Sequence, residues 1–322
     1  MKADVRFTGL SRLLQQSNLR DDLSVKRGAL PHSLRANKNW VAMASKIIRM
    51  RIHFHALCLC ICVALLCLSA SAAELKPATL NAFNRYVLLA EQEMQLTPAG
   101  PYLYADRLNA SEREADGRRL KQGEVVIRRM KTLDSGKKIE VPDGLVHHWL
   151  ALVFIPGATL QQTLALVQDY HNHHKYYAPD VVRSQLISRN GNDFRIFYRL
   201  KRHKVITVVL NTNYDVHYGS LSPTRAFSRS YSTRITEVEN AGEQDEREKP
   251  VDDGTGFMWR LNTYWRFEQR DGGTYVQCEA VSLSRDIPTG LGWMIGPFVE
   301  SVPRDSLEFT LRKTREALLS RR

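Results

Sequence analysis

Residues 256–285 read GFMWRLNTYWRFEQRDGGTYVQCEAVSLSR, and the period of this stretch decides the fold. Phe257, Trp259, Leu261, Trp265 and Phe267 share one parity; Arg260, Asn262, Arg266 and Glu268 share the other. Apolar residues at alternate positions mark a strand with one buried face. Asp271-Gly272-Gly273 breaks the period with residues that suit a tight hairpin. The spacing therefore predicts antiparallel strands over 256–269 and 273–285.

Upstream, the same period predicts strands over 182–189, 193–201, 204–218 and 225–238, with a turn at Asn190-Gly191-Asn192-Asp193. In 204–218, Ile206, Val208, Leu210, Tyr214 and Val216 face one way; Asn211, Asn213, Asp215 and His217 face the other. The polar run 240–255 is expected to be a solvated excursion or a mobile lid. Residues 144–155 (GLVHHWLALVFI) form a long strand ended by Pro156-Gly157, and Thr159 with Gln162 makes a capping box for the next helix. The glycines of 289–299 interrupt the pattern. Pro303 suits the first turn of a last helix whose apolar face is Leu307, Leu311, Thr314 and Leu318. Before these elements, Leu80, Phe83, Val87, Ala90 and Met94 mark one helical face over 77–95, 111–121 reads as a charged surface helix, and 124–130 as a strand.

The front of the chain differs in kind. Residues 57–68 (LCLCICVALLCL) are an apolar run too short to span a bilayer. Arg49 and Arg51 precede it and Ala70-Ser71-Ala72 follows, so 50–72 is expected to be a signal peptide cut after Ala72. Translation is expected to start at Met50 or Met43, leaving 1–49 as a non-native or disordered basic extension. The formal charge is +12, but residues 1–72 hold +8 of it and 73–322 only +4. A bulk-charge case for nucleic acid therefore disappears. Four of the five cysteines fall in the apolar run, so the part behind Ala72 keeps Cys278 alone and no internal disulfide. With 43% hydrophobic residues, wholesale disorder and a polytopic membrane protein are excluded, and no membrane span is expected after cleavage. The expected destination is the periplasm or the medium.

Catalytic motifs are absent. His147, His148, His171, His173 and His174 cluster in sequence, but no cysteine or acidic–histidine pattern completes a metal set, and His147 and His148 point to opposite faces of a strand. Ser230, Ser232 and Ser284 have no G-x-S-x-G context and no assigned base. Cys278 in a strand pattern reads as a small buried hydrophobe. Gly290, Gly292 and Gly296 lack the βαβ unit of a dinucleotide loop. No cofactor, metal or catalytic residue is assigned.

The order GLVHHWLALVFIPGATL, DYHNHHKYYAPDVV, meandering strands, WRFEQRDGGTYVQCEA and IPTGLGWMIGPFVESVPRDSLEFTLRKTREAL resembles the START-like, polyketide-cyclase-like superfamily over roughly residues 140–320. The resemblance implies an α+β helix-grip fold over 136–322, a curved antiparallel sheet wrapped around a long C-terminal helix, with 73–135 as an N-terminal helical addition. It also implies a cavity between sheet and helix that takes a hydrophobic small molecule or lipid. On that expectation the concave face carries Trp149, Leu210, Tyr214, Phe227, Tyr231, Trp259, Leu261 and Trp265, with Arg229 at the same parity as Phe227 and Tyr231. An inward Arg229 needs a carboxylate or ligand anion, unless twist carries it outward. Trp293, Met294 and Phe298 are placed as a gate. Two rival readings stand beside binding: a cyclase, aromatase or hydratase using Tyr231, Arg229 and Glu279, or a surface interaction module with a filled core.

Overall fold

The computed structural model describes residues 73–95, 100–203, 206–287 and 292–321, with 292–298 described as helical backbone only. The expectations for residues 1–72 lie outside these. The elements are α1 (Pro77–Glu93), α2 (Ala110–Lys121), β1 (Val126–Arg129), β2 (Gly144–Pro156), α3 (Leu160–Val167) and α4 (His173–Tyr176). They continue with β3 (Val181–Asn190), β4 (Asp193–His203), β5 (Thr207–Ser222), β6 (Arg225–Glu239), β7 (Arg260–Arg270), β8 (Gly273–Arg285) and α5 (Gly292–Leu319). The strands form one antiparallel sheet in the order β1-β2-β8-β7-β6-β5-β4-β3, and a short strand, Arg247–Glu248, pairs with β6. This is the α+β helix-grip architecture. No helix among the described residues is long and apolar enough to cross a membrane.

Local chemistry explains the joints. Asp271 and Gly272 take φ of 54° and 75°, the pair of positive values a two-residue hairpin needs. The Thr159 Oγ1 accepts the Gln162 backbone N–H at 3.1 Å, and the Gln162 side chain accepts the Thr159 N–H at 2.9 Å, so the capping box forms.

The inner face of the sheet and the helices α3 and α5 enclose the main core, which includes Ala151, Val153, Ile155, Phe267, Val276 and Leu311. Cys278 belongs to it, and burial pushes its thiol well above its usual range. The outer face is covered as well, contrary to the one-sided burial that the alternation predicts. α1 packs Phe83, Tyr86 and Ala90 onto Tyr264, Val281 and Leu283. Tyr102, Leu103 and Leu120 pack onto Leu152, Phe154 and Tyr275. The polar residues on this side, Asn262, Arg266 and Glu268, are therefore buried. Arg266 is satisfied by the Met94 and Tyr102 carbonyl oxygens, each at 2.5 Å, and Glu268 forms ion pairs with Arg225 and Arg270. The N-terminal segment thus forms a third layer, and its strand β1 adds to the main sheet.

Two further expectations change. The last helix begins by Gly292 and runs through Pro303 rather than starting there. Pro297 and Pro303 each remove one backbone donor, which weakens the N-terminal half of α5 relative to the half beyond Leu307. The stretch 240–255 is a built loop. Glu237 accepts the backbone N–H groups of Thr255 and Gly256 at 2.8 and 2.9 Å, and Asp253–Gly254 pairs with Ala73–Glu74.

Candidate functional site

The inner wall facing α5 combines large and small side chains in register. Trp149 on β2, Ala280 on β8, and Leu261 and Trp265 on β7 sit on central strands, yet each is only half-buried. β6 presents Ala226, Ser228, Ser230 and Ser232 on the same side. Ser228 lies opposite Trp265, Ser230 opposite Thr263, and Ser232 opposite Tyr214 of β5. Leu210, Thr212 and Tyr214 continue the wall on β5, opposite Leu200, Tyr198 and Ile196 of β4. Four small side chains thus follow one another along the inward side of β6.

α5 closes this wall unevenly. Leu307, Leu311, Thr314 and Leu318 are buried at helical spacing, whereas residues 301–306 are half-buried at every position. Arg202 of β4 reaches the Ser306 hydroxyl at 2.6 Å and Asp180 at 2.6 Å. On the other side Arg129 of β1 pairs with Glu300 at 3.2 Å and lies 5.9 Å from the Trp149 ring centre. The N-terminal half of the helix is thus held by polar struts, and the C-terminal half by apolar packing.

Toward the Gly144 end the wall turns polar. His147 Nε2 lies 2.9 Å from Ser284 Oγ, and Ser282 lies directly opposite His147 in the ladder; all three are buried. Burial lowers the His147 pKa to about 4, helped by repulsion from Arg129 and opposed by Glu300. Toward the other end of the wall, buried Tyr170, Tyr218 and His173 form an aromatic group with half-buried Tyr198. Tyr170 and Tyr218 hydroxyls lie 2.7 Å apart, and His173 Nδ1 is 2.6 Å from the Tyr198 hydroxyl. Burial also takes His173 down to about 4.

Of the predicted cavity residues, Trp149, Leu210, Tyr214, Leu261 and Trp265 lie on this inner wall. Phe227, Arg229, Tyr231 and Trp259 do not. The β6 register places Phe227 opposite Gly219, Arg229 opposite His217 and Tyr231 opposite Asp215, all on the outer face. Aromatic bias misassigned the face of β6, because the chain puts its small residues inward. A Cβ at Gly219 would stand 2.3 Å from the Phe227 ring, so the glycine is what lets that ring lie across β5. Trp259 precedes β7, escapes its parity, and packs with Leu75, Phe83 and Leu283; Phe257 is exposed. Trp293, Met294 and Phe298 fall among side chains outside those described.

The acid–base candidates also sit outside. Arg229 is exposed, and the Tyr231 and Tyr264 hydroxyls both donate to Glu91 Oε1 at 2.7 Å. Glu279 lies under α1, 2.7 Å from His148 Nε2, whose Nδ1 is 2.9 Å from the Tyr86 hydroxyl. An open groove of about 370 Å³ on the outer face is lined by Arg229, Tyr231, His217 and Asp215 among others. A second, of about 420 Å³, lies beside Glu237, Lys249 and Phe257. No group of metal-ligating side chains occurs among the described residues.

Sequence reasoning missed Ser228, Ser230 and the His147–Ser284 pair. Ser284 had no visible base because His147 is 137 residues away in the chain. The parity that joins Cys278, Ala280, Ser282 and Ser284 on one side of β8 was the available signal.

No protein-family model and no curated protein matches the chain. Among solved structures, a STAR-related lipid transfer protein from Xanthomonas axonopodis aligns at 13% identity and TM-score 0.38, over 60% of this chain and 98% of that one. Human STARD10 aligns at 9% identity and TM-score 0.39, over 66% and 80%. The ZhuI aromatase/cyclase from Streptomyces aligns at 10% identity and TM-score 0.36, over 55% and 96%. At TM-scores this low the likenesses carry no weight by themselves, and the strand order and the grip of α5 define the architecture. The chain has a helix-grip fold, one antiparallel sheet closed by a long C-terminal helix.

Proposed function

We propose that this protein binds a hydrophobic small molecule or lipid between the inner face of the sheet and the N-terminal half of α5, and that it does so after export. One observation carries the reading. Central-strand side chains Trp149, Ala280, Leu261 and Trp265 stay half-buried, Trp265 opposite Ser228 of β6, and residues 301–306 of the helix are none of them fully buried. A filled core would bury central positions completely, as it does at Ala151, Val153 and Phe267. Apolar walls with a few polar groups are the usual form of a ligand site. Export rests on the apolar run and the Ala70-Ser71-Ala72 site.

The test is organic extraction of protein purified from its native host, followed by mass spectrometry, together with native mass spectrometry of the intact protein. The expected result is a stoichiometric apolar molecule lost on extraction. A protein that is homogeneous at its apo mass and takes up no apolar probe would overturn the reading. N-terminal sequencing from a cell fraction tests the export half, with Ala73 expected as the first residue.

A further inference from the structure

The His147–Ser284 pair has no structural partner that requires it. His147 is 6% exposed and Ser284 6%, so both are withdrawn from water in the wall next to Trp149. One bond joins them, from Nε2 to Oγ at 2.9 Å. Ser284 Oγ also reaches the Arg285 carbonyl oxygen at 3.3 Å. The imidazole Nδ1 has no hydrogen-bond partner among the described residues. The contrast with His148 is direct, since both of that ring's nitrogens are engaged. An unpartnered ring nitrogen in the wall beside Trp149 is a place for a bond that the ligand completes.

We infer that His147 and Ser284 form the polar anchor of the ligand site, and that they recognise an apolar molecule through an uncharged hydroxyl or carbonyl group at one end. This rests on the binding function proposed above. A neutral imidazole bonded to a hydroxyl is amphoteric. If Nε2–H donates to Ser284, Nδ1 accepts; if Ser284 donates to Nε2, Nδ1–H donates. A hydroxyl satisfies either arrangement, and a carbonyl satisfies the second. A carboxylate or phosphate would face the Glu300 side chain, whose charge acts on His147, and Arg129 beside it is already paired with that glutamate. The ring stays uncharged at neutral pH and adds no attraction for an anion. The apolar body of the ligand then extends along Trp149, Leu261 and Trp265.

The experiment titrates the full exported protein with dodecane, 1-dodecanol and dodecanoate at pH 7.5, read by intrinsic tryptophan fluorescence and by native mass spectrometry. For the wild type, dodecanol is expected to bind about tenfold more tightly than dodecane, the size of one good hydrogen bond. It is also expected to bind more tightly than dodecanoate. In Ser284→Ala and in His147→Phe the ratio of dodecanol to dodecane affinity falls to near one. Equal wild-type affinity for dodecanol and dodecane overturns the anchor while leaving the cavity intact. A preference for dodecanoate, or an unchanged ratio in Ser284→Ala, overturns it too. Uptake of none of the three probes removes the cavity reading itself. If His147→Phe fails to fold, the Ser284→Ala ratio decides.

Discussion

His147 and His148 are neighbours in the chain, but β2 sends them to opposite faces of the sheet. His147 meets Ser284 at 2.9 Å beneath α5, and His148 meets Glu279 at 2.7 Å beneath α1. One strand thus carries a polar group into each of the two interiors, because successive side chains alternate. The consequences for stability and binding differ by face.

Trp149→Ala and Trp259→Ala should separate the two interiors. Trp149 lies half-buried on the inner wall, so on the proposed function its loss should lower the yield of copurifying apolar ligand with a small drop in Tm. Trp259 is 5% exposed in the cluster under α1, so its loss should cost about 3–5 kcal/mol, the usual range for a buried large aromatic. Urea titration and native mass spectrometry check both. Equal destabilisation by the two would contradict their assignment to different faces.

Filling the small-residue row should block the site from within. Ser228 is buried opposite Trp265 and Ser230 opposite Thr263. Ser230→Phe is expected to abolish ligand uptake while far-ultraviolet circular dichroism stays unchanged, because the ring occupies space that the ligand would use. Retained uptake at wild-type affinity would place the ligand elsewhere.

The buried histidines predict an acid-labile fold. His147 and His173 are held near pKa 4 by burial, against an ordinary 6.5. The folded values are depressed, so the unfolded chain takes up these protons first as pH falls. Their contribution is complete above about pH 6.5 and is lost progressively toward pH 4, by a few kcal/mol in all. The urea midpoint should therefore drop between pH 7 and 4.5, and His173→Gln should shrink the drop. Glu246, held near 2 by Arg199, acts below this window and does not confuse it.

Arg202→Ala should release the N-terminal half of α5. The guanidinium bonds Ser306 and Asp180, while Leu311 and Leu318 keep the rest of the helix in place. Hydrogen exchange is expected to quicken over residues 299–306 and to stay slow beyond 311. Uniform acceleration along the helix would show that Arg202 supports the whole grip.

Arg266→Met tests the third layer. Its guanidinium ties the carbonyls of Met94 and Tyr102 across the outer face of β7. Without it the buried Tyr102 carbonyl loses a donor, at about 1–3 kcal/mol, and the part-buried Met94 carbonyl loses one too. Limited proteolysis should then cut near residues 94–102 first, ahead of any cut in the sheet.

Much of the fold was legible from period alone. The β7–β8 hairpin, the capping box at Thr159 and the long meander follow from alternation and from turn residues whose chemistry is local. Inner-wall residues on β2, β5 and β7 were legible for the same reason. β6 was not, because its serines carry no hydrophobic signal and its aromatic residues point to a second interior. Neither Asn262, Arg266 and Glu268 nor the continuity of α5 through Pro303 was legible. In each case partners distant in sequence outweigh the local preference.

The amino-acid sequence by itself determined the strands, their turns, the apolar face of the last helix and where the positive charge lies. These depend on side chains a few residues apart. Only the tertiary structure decided which face of each strand meets which layer, that α1 and the 102–121 segment cover the outer face over β2, β7 and β8, and that His147 meets Ser284. Those outcomes depend on strand register and on contacts more than a hundred residues apart, which no local pattern encodes.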